Sequence, residues 1–415
     1  MHFLSSLPIA LTAWAVCSST ASASRVPLSR KHLDRRDGSA VGGISSSGGF
    51  WFGDFVVGAS TNLSMLIDTG SGDVIVNPGK YKSSQSSKAL NTTFSNSYGT
   101  TSGDGTGNGT VVGSLYFDEV SLGSLTATQM IGSATGPAVI PNDGIVGFSG
   151  PLFWQFPDNS TSFMQSLCTQ GKVSDCRFGL ALEDENTGSL IMGELDTEMY
   201  TGNLTVAPIY ITGWATLMDL AVNGTIVAQD LTVELDSGTA TIVGPIEAVS
   251  SIFEATGIQG VLQNSSSGQQ LVGYFPCDSP PTVGFSFPSQ SNASTATGTI
   301  SKNGKLFDIP TSVWAAVDNG DNNCTAVISG QDTAAFPGLW VVGQPFFQGR
   351  YFDFSLADGT IGIAPLKPST TTNATSTSTS RPVPTQTVTT NGAMSMVGFE
   401  RLAFLTTLVA LCLYR

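Results

Sequence analysis

The chain has 415 residues and a formal net charge of −14, from 17 Lys and Arg against 31 Asp and Glu. Nucleic-acid binding needs concentrated positive charge to displace counterions, so that class of partner is excluded first. The two histidines, His2 and His32, lie in an N-terminal stretch that reads as removed on maturation. Their loss excludes Ser-His-Asp and Cys-His mechanisms and zinc sites built on imidazole. Acid-base chemistry is left mainly to carboxylates, since residues from 37 onward carry 30 acids and 12 bases.

At the N-terminus, the apolar run Leu4 to Val16 is followed by the small residues Ala21-Ser22-Ala23. This is the layout of a secretory signal peptide over residues 1–23. Arg25, Arg30, Lys31, Arg35 and Arg36 then crowd into a short basic segment, read as a propeptide over 24–36 that ends at the dibasic pair.

The body that follows, residues 37–366, is rich in turn formers, with 47 Gly and 20 Pro in the whole chain. Its pattern is mostly short alternating segments. In Leu231-Thr-Val-Glu-Leu235, the residues Leu231, Val233 and Leu235 share one face of a predicted strand. Helical signals are few. Phe163 and Leu167 stand four apart within Ser160 to Leu167, and Ile246, Val249 and Phe253 line one side of Pro245 to Ala255, where Pro suits the first turn. The expected fold class is mainly β with a handful of short helices.

The body also repeats itself. Ser64-Met-Leu-Ile67 leads into Asp68-Thr69-Gly70-Ser71, and Thr232-Val-Glu-Leu235 leads into Asp236-Ser237-Gly238-Thr239. Each copy is an apolar strand that delivers Asp, a hydroxyl residue, Gly and a second hydroxyl residue. The strand holds the backbone rigid, and Gly permits a tight turn close to a partner loop. The hydroxyls can hydrogen-bond and orient the carboxylate. A second echo follows each copy: Asp143-Gly-Ile-Val-Gly147, then Leu339-Trp-Val-Val-Gly343. Such runs suit a strand threaded behind each Asp loop, with Gly allowing close packing. One Asp-Thr-Gly alone means little, because Asp and Gly populate turns everywhere. The paired copies, 168 residues apart, point to two carboxylates brought to one site.

Beyond the body, Pro368 to Thr390 is rich in Ser, Thr and Pro and reads as an O-glycosylated stalk, 367–391. The small residues Asn391-Gly392-Ala393, a spacer and the apolar Leu402 to Leu413 follow. That tail is too short to span a membrane, and the order of features matches a GPI-attachment signal over 392–415 that is removed. Contact with a membrane or cell wall is expected only through such an anchor; the bland alternative is a secreted protein with an apolar end. Ten Asn-X-Ser/Thr sequons (Asn62, Asn91, Asn108, Asn159, Asn203, Asn223, Asn264, Asn292, Asn323, Asn373) fit a eukaryotic secretory route. With Cys17 and Cys412 in the removed ends, Cys168, Cys176, Cys277 and Cys324 remain. Four cysteines allow three disulfide connectivities. The simplest keeps each bridge local, Cys168 with Cys176 and Cys277 with Cys324.

On these motifs the chain resembles the pepsin-like aspartic proteases, and among them the secreted enzymes of fungi. The likeness runs from about Gly49 to Leu366 and includes Gly188-Ser-Leu-Ile191, Tyr200-Thr-Gly202, Trp214, Tyr351-Phe-Asp353 and Gly362-Ile-Ala364. The resemblance implies a bilobal acid-protease fold: an N-terminal lobe (37–200) and a C-terminal lobe (201–366), related by pseudo-twofold symmetry across a substrate cleft. It implies that Asp68 and Asp236 are catalytic and that Thr69 and Ser237 cross-link their loops. Ser71 and Thr239 would then bond the outer carboxylate oxygens, with Gly70 and Gly238 between. Two carboxyl groups in contact cannot both ionise cheaply, so the pair would share one proton at acidic pH and activate water. Polypeptide substrates, a monomeric state, and no metal or organic cofactor are expected.

Two features depart from the family pattern. The flap hairpin normally carries Tyr in a Tyr-Gly context, matched here by Tyr98-Gly99, but the following Thr100 to Gly109 is long and Thr106 is a competing alignment. Ile75 stands where the family usually has the Trp that supports this tyrosine. The alternative function these departures sustain is a catalytically silent pepsin-fold surface binding protein, against which both intact Asp motifs count. A purely structural wall glycoprotein would leave the duplication unexplained. Phe153-Trp154 and Phe346-Phe347 are expected in the core, and Asp219 and Asp353 in structural hydrogen bonds.

Overall fold

The computed structural model describes residues 24–31, by backbone alone, and 50–367, with breaks at 99–108, 139, 151–154, 158–159, 184–187, 211–212, 266–267, 289–293, 296–297, 300–304 and 333–336. The signal peptide, the dibasic pair, residues 368–415, Phe153-Trp154, Gly99 and Thr106 lie outside the described residues.

The duplication read from the motifs extends to strand topology. In the first half, Ser60–Asp68 runs parallel to Gly144–Gly147, which pairs antiparallel with Val74–Val76, itself parallel to Leu125–Ala134. In the second half, Thr225–Leu235 runs parallel to Trp340–Val342, which pairs antiparallel with Ile242–Gly244, itself parallel to Cys324–Gln331. Order and sense are the same. In each half the apolar-Gly segment slots between the two arms of the Asp loop. A Cβ at Gly147 would press on the backbone of Ser71 to Asp73, and one at Gly343 on the carbonyls of Thr239 and Thr241.

Alternation places the side chains as expected. Val233 and Leu235 are fully buried in the main core and Leu231 packs against it. The second helix spans Ile246–Thr256, with Pro245 just ahead of it and Gly257 closing it at φ 74°. Pro suits that position because the N–H it lacks has no helical partner to bond, and Gly takes the left-handed conformation without a Cβ penalty. The first helix, Phe163–Thr169, starts three residues after Ser160, since Ser162 is still extended at ψ 162°.

The halves share a layer. Arg177–Leu182 pairs with both Gly188–Met192 and Arg350–Ser355, and the latter pairs with Thr360–Pro365, which bonds Thr205–Pro208. The backbone of Ser24–Lys31 lies in the same layer, antiparallel to Gly188–Met192 on one side and Phe50–Val57 on the other. Beneath it, Phe148, Phe178, Trp214 and Phe354 form a chain of ring contacts at 4.8–5.5 Å that joins both halves. The Trp214 indole donates to the Phe148 carbonyl at 3.0 Å. Phe346 and Phe347 are core residues with no exposure. Cys168 bonds Cys176, and Cys277 bonds Cys324.

Arg177, buried, carries the polar joint of this layer. Its guanidinium meets Asp353 at 3.1 Å, Asp358 at 2.8 Å and Asp175 at 2.6 Å. Asp353 thus has the structural role expected of it, and Asp219 accepts the Asp230 N–H at 3.1 Å. Removing one side of a buried ion pair leaves the other uncompensated. Arg177→Met is therefore expected to lower the unfolding free energy by about 3–5 kcal/mol in urea titration, while Lys367→Met, which breaks a solvent-exposed pair with Glu198, should leave the midpoint nearly unchanged.

Candidate active site

The two Asp loops meet tip to tip where the halves join. The Thr69 hydroxyl donates to the Leu235 carbonyl at 2.8 Å and accepts the Ser237 N–H at 2.8 Å. Ser237 mirrors this: its hydroxyl donates to the Ile67 carbonyl at 2.8 Å and accepts the Thr69 N–H at 3.1 Å. Each hydroxyl therefore bonds the strand and loop of the opposite half. The Gln344 amide ties in further, donating to the Ser237 carbonyl at 2.9 Å.

Within each loop the carboxylate is held by its own motif. Asp68 accepts from the Gly70 N–H at 2.8 Å and the Ser71 hydroxyl at 2.5 Å. Asp236 accepts from the Gly238 N–H at 2.7 Å and from the Thr239 hydroxyl. The glycines are required by close approach: a Cβ on Gly70 would collide with the Asp236 carboxyl, and one on Gly238 with the Asp68 carboxyl. Both carboxyls are buried. Burial, and secondarily the neighbouring Asp236 charge, holds the Asp68 proton well above the usual carboxylate range, against the opposing pull of Ser71 and Gly70. Thus all eight motif residues, Asp68 to Ser71 and Asp236 to Thr239, come together.

The hairpin beside the site is built by Lys88–Ser97 and Thr110–Leu122, closed at its neck by the Tyr98 N–H to the Gly109 carbonyl at 2.9 Å. Tyr98 stands at this neck, sunk in a cluster with Phe52, Ile75, Phe94 and Val111. Ile75 offers no polar atom, and the buried Tyr98 hydroxyl makes no hydrogen bond of good geometry, with Asn96 and Ser71 as its nearest polar neighbours. Its proton is held above the ordinary phenol range by burial first, then by Asp73 and Asp68.

Asp73 is a polar centre that motif reading passed over, although it lies only five residues after Asp68. Its Oδ2 accepts the Gln155 N–H at 2.7 Å and the Asn96 amide at 2.9 Å, and its Oδ1 is buried without a partner. Burial pushes this carboxyl up to about 7, with those donors opposing. The sequence signal was an acid inside an apolar strand, Asp73-Val-Ile-Val76.

One cluster among the described residues has metal-like spacing: Cys277, Asp318 and Cys324 place ligand atoms within 4.8 Å of one another. Both sulfurs are committed to a disulfide, so no thiolate is left to bind an ion.

Twin β motifs that cross-bond and deliver two buried carboxyls to one point define the class of aspartic proteinases. The family model described as eukaryotic aspartyl protease matches residues 50–366, and the chain belongs to that family. It is 28% identical over 357 residues to an aspartic protease of Phaffia rhodozyma, covering 81% of each chain. It is likewise 28% identical to secreted aspartyl protease 1 of Malassezia globosa, covering 80% of this chain and 78% of that one. Pepsin A of Sus scrofa is 27% identical, with 76% and 81% covered. The crystal structure of an aspartic proteinase from Irpex lacteus superposes at a TM-score of 0.62 over 83% of this chain and 98% of that one, at 22% identity, which bears on the fold alone.

Two outcomes follow from the hairpin neck. Because the folded-state value of Asp73 lies above its ordinary 3.8, its contribution to stability is complete below that value and is lost as pH rises through about 7. Denaturant titrations at pH 4, 5.5 and 7 should therefore show wild type losing stability relative to Asp73→Asn, by at most about 1.4 kcal/mol per pH unit; parallel curves would contradict this. Tyr98→Phe removes a buried hydroxyl held only by weak contacts with Asn96 and Ser71, so its denaturation midpoint should stay close to that of wild type in urea titration.

Proposed function

We propose that Asp68 and Asp236 are the catalytic pair of this aspartic endopeptidase and that water, activated between them, attacks the scissile carbonyl directly. The observation that carries this reading is the reciprocal bonding of Thr69 and Ser237, which supports a shared site for the two carboxyls. Burial and a like charge favour one proton on the pair, and that proton belongs to both groups. The ionised partner takes a proton from water while the protonated partner polarises the carbonyl, and no acyl-enzyme forms. Ser71 and Thr239 hold the outer oxygens, so that the inner oxygens face each other. The raised position of Asp68 keeps the singly protonated pair populated above the normal carboxylate range, with activity fading as that proton is lost.

The protein is read as a secreted, extracellular enzyme made as a zymogen. Residues 24–36 are the propeptide, and the pairing of Ser24–Lys31 between two strands of the body supports a docked pro-segment. The tail over 392–415 is read as a GPI-attachment signal behind a glycosylated stalk, and the mature enzyme as a monomer acting on polypeptides.

Purified mature protein should cleave denatured globin at low pH and stop with pepstatin. Asp236→Asn should lower kcat by roughly 10²–10⁴-fold with its fold intact by circular dichroism. Full activity in that variant would refute the pair; a binding protein of the same fold would show no pepstatin-sensitive cleavage in wild type.

A further inference from the structure

The strand Thr225–Leu235 carries one side chain that the hydrolytic role does not use. Val233 and Leu235 turn into the core. Glu234 and Asp236, two residues apart, therefore face the opposite side, where the two Asp loops meet. In register with Glu234 are Ala215 on one neighbouring strand and Val341 on the other, neither with a polar side chain. Glu234 is only 5% exposed, and its Oε1 is buried with no hydrogen-bond partner. No described Lys or Arg pairs with it.

A carboxyl at this depth with an unmet acceptor costs stability and gains nothing from the fold itself, so a donor brought in from outside is bound at a gain. Three carboxyls converge here without a base: Asp68, Asp236 and Glu234. The ionised member of the Asp pair, and Glu234 once it gives up its proton, favour a cation over a neutral donor, and an ammonium or guanidinium gives the stronger, charge-assisted bond.

We propose that Glu234 is a specificity-determining residue, forming the wall of the subsite beside Asp236 that receives a Lys or Arg side chain of the polypeptide substrate. This rests on the catalytic reading given above. Burial, and then the charges of Asp236 and Asp68, keep Glu234 protonated well above the usual carboxylate range in the empty site. Docking of the cation therefore exchanges a proton for a positive side chain, and the preference grows as pH rises within the active range. The charged groups acting on Glu234 are Asp236, on its own chain segment, and Asp68, across the junction; Ala215 and Val341 contribute none.

The test is cleavage profiling of the mature protein with a peptide library, then paired peptides carrying Lys or Leu at the subsite that responds. Wild type should favour the cationic side chain at one subsite, more strongly at the upper end of its pH range. In Glu234→Leu and Glu234→Gln the Lys-to-Leu ratio of kcat/KM should fall about tenfold or more, chiefly through KM. Pepstatin titration counts competent sites in each protein and separates loss of fold from loss of preference. A wild type that titrates fully yet shows no cationic preference, or a variant that keeps the ratio, would overturn the assignment. A wild type that neither cleaves nor titrates would overturn the catalytic reading, and this one with it.

Discussion

The site depends on four hydrogen bonds exchanged between Thr69 and Ser237 and the opposite halves of the molecule. Two carboxyls resist burial side by side, because each pays a desolvation cost and each disfavours ionisation of the other. Only a backbone fixed from both sides can hold them there. The hydroxyls do this by bonding main-chain atoms, which cannot rotate away, and they leave the loop tips with room for glycine alone. The same geometry raises the Asp68 proton affinity, so the strain of assembly and the proposed shared proton have one origin.

Behind the loops, the scaffold is repeated with the same strand order in both halves. Each threading strand supports its Asp loop from below, and each ends in a glycine set against loop backbone. The shared layer and the aromatic chain from Phe148 to Phe354 then fix the halves to each other. A loose joint would let the carboxyls separate, which would remove the like-charge cost and with it the raised proton affinity.

Acid conditions suit this chain for reasons that extend beyond the pair. Burial pushes Asp73 and Asp353 up to about 7 and 6, but only Asp73 can be protonated without giving up an ion pair. Asp353 is moderated by Arg177, whereas Asp73 has only neutral donors. A body this rich in acids also repels itself less once they are neutralised. Protonation at low pH thus removes one buried charge, that of Asp73, from the core as well as charges from the surface.

Sequence alone carried the β character, the duplicated Asp motifs, the threading strands and the core faces of both helices, because these rest on local periodicity and on motifs of adjacent residues. It also favoured the local disulfide pairing as the simplest of three, and the folded chain has it. What it could not supply was the set of contacts that depend on side chains distant along the chain arriving at one place. Asp73 carried no role in the motif reading until burial gave it Asn96 and Gln155. Tyr98 sits at the hairpin neck against Ile75, a position that motif spacing could not fix. Glu234 read as the polar face of a strand; only the tertiary structure turned that face toward the carboxyl pair, because alternation determines which residues share a side, and packing decides what that side meets.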